Sequence, residues 1–153
     1  MNYWLMKSEP TEFSIDDLES SPGHKTCWDG VRNYQARNFM RDMRRGDLAF
    51  FYHSNCAEPG IAGIAKIVKQ AYPDFTAFDP NDKHFDPKST RENPRWYMVD
   101  IKFERKLKRV ITLTELKQHA DKTLDGLALL RRGNRLSVLP MNARQWKFVL
   151  SLE

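Results

Sequence analysis

The chain has 153 residues, 41% of them hydrophobic and 29% charged, with 25 Lys and Arg against 20 Asp and Glu for a net charge of +5. That size and balance describe one globular domain, residues 1–153, with a core of its own, and exclude disordered and collagenous classes. No apolar run approaches the roughly 18 residues of a spanning helix, the first residues lack a secretory pattern, and two cysteines are too few for a disulfide framework. A cytoplasmic chain is therefore expected, from a bacterial cytosol or a nucleus, with no membrane association.

Asn2 to Lys7 is a short aromatic-aliphatic strand. Ser14-Ile15-Asp16-Asp17 has a serine N-cap with acids in the first turn, and Pro22-Gly23 ends that helix. Asn33 is positioned to cap a second helix, Tyr34 to Met43, with Phe39, Met40 and Met43 at helical spacing. Gly46-Asp47 closes it. Leu48 to His53 is too short an apolar run for a helix and reads as a buried strand. Ile61 to Val68 follows the Pro59-Gly60 turn as another, in which Gly63 points to a close backbone approach. Pro80 to Pro94 is polar, holds three prolines and is expected as a long surface loop. Arg95 to Glu104 alternates as a long strand. Thr112 and Glu115 match a capping box, with a short helix to His119. Leu124 to Leu130 reads as another short helical piece, and Leu136 to Leu139 as a strand. Asn142 caps a C-terminal helix, with Met141 stapled onto Trp146. Strands and helices mix without regular alternation, so the expected fold is α+β: a largely antiparallel, barrel-like sheet decorated by short helices.

The charge is concentrated. Residues 102–135 carry ten basic groups against four acidic ones, while the remainder is nearly balanced, 15 against 16. Such a distribution suits a polyanion such as nucleic acid, through phosphate neutralisation; the alternative is a solvated basic face.

Few motifs of chemistry are present. His24-x-x-Cys27 and His53-x-x-Cys56 contain zinc-type ligands but depart from the usual spacings, so no metal and no cofactor are expected. There is no Gly-x-Ser-x-Gly elbow and no phosphate-cradling Gly-rich loop, so no catalytic residue is assigned. What recurs instead is aromatic or apolar residues beside amides and hydroxyls at element ends. The blocks are Lys7-Ser8-Glu9-Pro10, Trp28 to Asn38, Tyr52-His53-Ser54-Asn55 and Arg135-Leu136-Ser137-Val138. That mixture suits a nucleobase, whose faces stack and whose edge hydrogen-bonds. Each residue also has a purely structural reading: Trp28 as core, Asn33 as a helix cap, Asn55 as a turn residue, Glu9 as a partner for Lys7.

In number and order these blocks resemble the EVE domain family. The resemblance runs from Tyr3-Trp4-Leu5-Met6-Lys7-Ser8-Glu9-Pro10 through Trp28-x-Gly30-Val31-Arg32-Asn33-Tyr34-Gln35-Ala36-Arg37-Asn38. It continues in Gly46-Asp47, Phe51-Tyr52-His53-Ser54-Asn55, Pro59-Gly60-Ile61 and Ala77-Phe78-Asp79-Pro80, and ends in Pro94-Arg95-Trp96 and Arg135-Leu136-Ser137-Val138. It implies a PUA-like fold and a non-catalytic reader that takes a modified base, C5-modified cytosine in DNA or a modified RNA base, flipped into an aromatic and polar pocket. On this reading Trp28 and Tyr34 stack or wall the pocket. Ser8, Glu9, Asn33, Ser54 and Asn55 read the base edge. Lys7, Val31, Gln35, His53, Leu136 and Ser137 complete the site. Arg32, Arg37 and Arg135, with Lys7, meet flanking phosphates, and Arg105, Lys106, Lys108 and Arg109 extend that track. A monomer is expected. The competing expectations are an RNA- or base-modifying enzyme and a PUA-like domain for a small ligand or a protein.

Overall fold

The computed structural model describes all 153 residues. It contains six strands and four α-helices: β1 (Tyr3–Ser8), α1 (Ile15–Ser20), β2 (Lys25–Cys27), α2 (Tyr34–Asp42), β3 (Leu48–His53), β4 (Gly60–Pro73), β5 (Tyr97–Thr112), α3 (Leu113–Lys117), β6 (Val138–Met141) and α4 (Ala143–Ser151). The strands form one sheet in the order β2-β5-β4-β3-β1-β6. Only β1 and β3 run parallel; every other neighbouring pair is antiparallel. The edge strands β2 and β6 do not pair with each other, so strand pairing leaves the sheet open where the sequence led us to expect a barrel. No helix is long and apolar enough to cross a membrane.

The central strands are buried on both faces, which is why they read as continuous apolar runs. Trp4 and Met6 of β1, with Ala49 and Phe51 of β3, enter a cluster that receives Ile15 and Leu18 of α1 and Ala36 and Met40 of α2. Leu5, Phe50 and Tyr52 point the other way, into a cluster completed by Leu116 of α3 and by Trp146 and Val149 of α4. The period of two along each strand assigns alternate residues to opposite layers. Gly63 lies where β4 passes under α1: a Cβ there would sit 2.6 Å from Ile15 Cδ1 and 2.9 Å from the Arg105 carbonyl oxygen.

Helix caps follow the sequence closely. Ser14 and Asp17 form a reciprocal capping box, as do Asn142 and Gln145. Thr112 caps α3 by accepting from Glu115 N, but the Glu115 carboxylate turns to Arg109 instead of returning to the cap. Met141 and Trp146 join the same apolar cluster, consistent with the staple.

Differences lie at element ends. β4 and β5 are longer than their apolar patterns, because register shifts carry the pairing through charged residues past Val68 and Glu104. Residues 124–130 supply only a 3-10 turn, Ala128–Leu130, in place of a longer helical piece. β6 starts at Val138 rather than Leu136 and continues through Pro140, which an edge strand tolerates because its missing N–H faces away from the ladder.

Asp47 ties the start of β1 to the turn before β3. Its buried carboxylate accepts from Asn2 N (3.0 Å), Trp4 Nε1 (3.0 Å) and Arg44 N (2.9 Å). Asp47→Ala strands these donors, one of them a buried indole. With each stranded buried donor costing about 1–3 kcal/mol, we expect a loss of about 3 kcal/mol or more, read as a lower urea midpoint with an unchanged slope.

Candidate nucleic-acid interface

Four segments meet at one end of the sheet around a cleft of about 1070 Å³. The end of β1 supplies Lys7, Ser8 and Glu9, followed by Glu12 and Phe13. Residues 26–32, from β2 to the start of α2, form one wall. Ser54 follows β3, and Arg135 and Ser137 precede β6. Asn81 to His84 of the long loop close the remaining side. β1 and β3 end side by side because they are parallel, with Lys7 opposite Tyr52 and Ser8 opposite His53. The Ser54 amide donates to the Ser8 carbonyl (2.9 Å) and the Lys7 amide to the Ser137 carbonyl (2.8 Å), which fixes three of the blocks against one another.

The wall is built on Asp74. This fully buried carboxylate accepts from Gly30 N (2.8 Å), Arg32 Nη1 (3.0 Å) and both the amide and hydroxyl of Thr76. Burial alone pushes the Asp74 carboxyl up, but the bonds from Thr76, Gly30 and Arg32 outweigh it and hold the group below the ordinary carboxylate range. Arg32 also donates to the His84 carbonyl through Nε (3.1 Å) and Nη2 (2.8 Å), clamping the long loop to the wall. Gly30 has a φ of 81° and lies under the His84 ring, where a Cβ would come within 2.6 Å. Both the backbone angle and the close approach call for glycine.

Inside the cleft, several groups are uncommitted. Lys7 forms no ion pair; its Nζ lies 5.9 Å from the Tyr52 ring centroid, and burial lowers its pKa. Asp29 also forms no ion pair, and its carboxyl is pushed up by burial and then by the nearby Asp74 charge. Trp28 is 8% exposed and packs edge-on against Phe51, with centroids 5.5 Å apart. The indoles of Trp4 and Trp96 donate to Asp47 and Asp86. Trp28 Nε1 has no partner in the chain, and no partnerless side-chain nitrogen or oxygen is sealed from solvent. Trp28 is thus both core and cleft.

Of the sequence-proposed residues, Lys7, Ser8, Glu9, Trp28, Val31, Arg32, Ser54, Arg135 and Ser137 line the cleft. Others lie elsewhere. Asn33 Oδ1 caps α2 by accepting from Ala36 N. Asn55 has a φ of 50° and donates its side-chain amide to Glu9, which takes that partner rather than Lys7. His53 Nε2 accepts from the Ile15 amide at 3.1 Å, and burial lowers its pKa, so the ring is neutral and committed to α1. Tyr34 is half exposed and stacks on Trp96 at 4.7 Å, with the Arg37 guanidinium 4.8 Å from its ring centroid and bonded to the Arg95 carbonyl. Gln35 and Leu136, with Asn33, border a second cleft of about 440 Å³. On β5, Arg105 pairs with Glu153, Lys106 with Asp16 and Arg109 with Glu115, leaving Lys108 without an ion pair. No three His, Cys, Asp or Glu side chains gather as a metal site would require.

Missed by sequence reasoning were Phe13, Asp29 and the Asn81–His84 loop tip. Asp29 sits inside the Trp28-x-Gly30 block, so its position there was the available signal. The loop tip carried only the length of the Pro80–Pro94 loop, since loops that long in a compact domain tend to be functional or mobile.

The EVE domain family model matches residues 2–152. The chain belongs to the EVE domain family. It is 55% identical to thymocyte nuclear protein 1 of Danio rerio, over 98% of this chain and 71% of that protein. Its fold matches human THYN1 in complex with 5-methylcytosine-containing DNA with a TM-score of 0.95 and 51% identity, covering 99% and 97% of the two chains. A Pseudomonas syringae protein, PSPTO5229, matches with a TM-score of 0.93 and 57% identity over 98% of each chain.

Proposed function

We propose that this EVE domain is a non-catalytic reader of C5-modified cytosine in DNA, which takes the base into the cleft beside Trp28. The observation that carries the reading is the pairing, within that cleft, of a partly open tryptophan with unpaired Asp29 and Lys7 side chains. An acidic side chain accepts from the cytosine N4 amine, which suits Asp29. Ser8, Ser54 and Ser137 offer further polar contacts, and Val31 and Phe13 offer apolar surface for a C5 substituent. Human THYN1, half identical to this chain, is known in complex with 5-methylcytosine-containing DNA, which supports the same ligand class here.

The energetics are consistent. Extruding a base costs a few kcal/mol, and one stacking contact returns about 1–3 kcal/mol. A buried methyl adds only about 0.8 kcal/mol, so preference for the methylated base is expected to be a few-fold. Burial, with help from Asp29 and Asp100, pushes the Cys27 thiol up, away from nucleophilic thiolate chemistry, and His53 is engaged as an acceptor. Both support a binding role. The 153 residues act as one PUA-like reader domain and as a monomer, in the bacterial cytosol or the nucleus.

The test is a titration of otherwise identical oligonucleotides bearing cytosine or 5-methylcytosine, at two salt concentrations. Affinity should fall steeply with salt while the few-fold preference persists. Equal affinity for the two bases at both salts would reject the reading.

A further inference from the structure

Arg135 borders both clefts. Ser137 faces the main cleft and Leu136 the smaller one, so the chain just before β6 is a ridge one residue wide between them. The smaller cleft is lined by Gln35 and Phe39 of α2 and by Arg131, Asn134 and Leu136 of the segment leading to β6. Arg131 and Arg135 are exposed and form no ion pair or side-chain hydrogen bond. Asn134 accepts from Leu136 N with its side-chain oxygen, which leaves its amide donors free. The contrast with the β5 arginines is direct: Arg105 and Arg109, with Lys106 between them in the chain, are each set against a carboxylate, whereas Arg131, Arg132 and Arg135 form no ion pair.

We propose that the smaller cleft is a subsite for the nucleotide adjoining the recognised base, with Arg135 gripping the phosphate between the two and Arg131 the next. Phe39 and Leu136 give the flanking base an apolar surface, and the Gln35 and Asn134 amides supply sequence-tolerant polar contacts. A cleft that combines a basic rim with an aromatic floor tracks a single strand without reading its sequence. The inference rests on the reader function but is tested separately from it.

Two experiments test it. In the first, a single-stranded oligonucleotide with one central 5-methylcytosine is compared with versions carrying an abasic site on its 5′ or its 3′ side. One of the two, and not the other, should lose about fivefold or more in affinity, the lower end of the value of a stacked base. In the second, Arg131→Gln with Arg135→Gln should lower affinity for methylated and unmodified strands alike and reduce the slope of log affinity against log salt by about 1.4. Arg105→Gln with Arg109→Gln should change it by less than half as much. No loss from either abasic site, or the same salt slope in the Arg131/Arg135 variant as in wild type, overturns the subsite. Loss of the methyl preference in wild type would instead reject the reader function, because the salt slope is measured on unmodified DNA as well.

Discussion

Asp74→Ala should destabilise the protein by about 3–5 kcal/mol, the cost of removing one partner from a buried charge pair, and should weaken oligonucleotide binding at least tenfold. Asp74 is fully buried and holds Gly30, Arg32 and Thr76 at once. Without it, the wall of residues 26–32 loses its tie to the segment after β4, and Arg32 loses the ion pair that orients it toward the His84 carbonyl. Arg32→Gln should also be destabilising, because it leaves the fully buried Asp74 carboxylate without its counter-charge, with only the bonds from Gly30 and Thr76 to hold it. The pH dependence has a defined sign. The folded pKa of Asp74 lies below its unfolded value, so its stabilisation is complete above about pH 3.9 and is lost as pH falls through the lower, folded value. Urea midpoints measured downward from pH 5 should show a smaller acid-dependent decline in the alanine variant than in wild type.

Trp28→Ala has the second large effect, and it acts on two quantities. The indole packs on Phe51 within the cluster that includes Met6, Ile15 and Ala36, so its removal should cost about 3–5 kcal/mol of stability. It should also lower affinity for a 5-methylcytosine oligonucleotide by about 5- to 150-fold, the worth of one stacked base. Trp28→Phe separates the two, because a phenyl ring keeps most of the core contact. It should remain folded by circular dichroism, with a smaller stability loss, while losing the indole N–H that has no partner in the chain. Wild-type affinity in folded Trp28→Phe would show that the N–H contributes nothing to the ligand; wild-type affinity in a folded Trp28→Ala would return Trp28 to a core role alone.

The elements legible in the sequence were those fixed locally. Ser14, Asn33, Thr112 and Asn142 all cap helices, because an N-cap is a contact within four residues. The run Leu48–His53 has the observed bounds of β3, since a strand buried on both faces must be apolar throughout. β2 was not legible: three residues, Lys25 to Cys27, carry no period and exist as a strand only because β5 lies beside them. The charged half of β5 was missed for a related reason, since its pairing with β4 overrides a pattern that looks like solvated surface. The site divides the same way. Blocks at the ends of β1 and β3 converge because those strands are parallel neighbours, and the motif residues Ser8, Trp28, Ser54 and Ser137 reach one cleft. Asn33 and Asn55 took the structural roles weighed for them from the start, as a cap and a positive-φ turn residue. Asn81 to His84 reach the cleft only through the Arg32 clamp, a contact spanning about fifty positions that no local pattern encodes.

The most direct test of the central claim is a ¹H–¹⁵N spectrum of the four indole N–H groups during titration with a 5-methylcytosine oligonucleotide. The Trp28 resonance, from an indole lining the cleft and unpaired in the free protein, should shift most. The Trp4 resonance, locked on Asp47 at the far end of β1, should stay in place. A bound complex in which Trp28 is unmoved while Trp4 or Trp146 shifts would contradict the account, because the base would then lie outside this cleft.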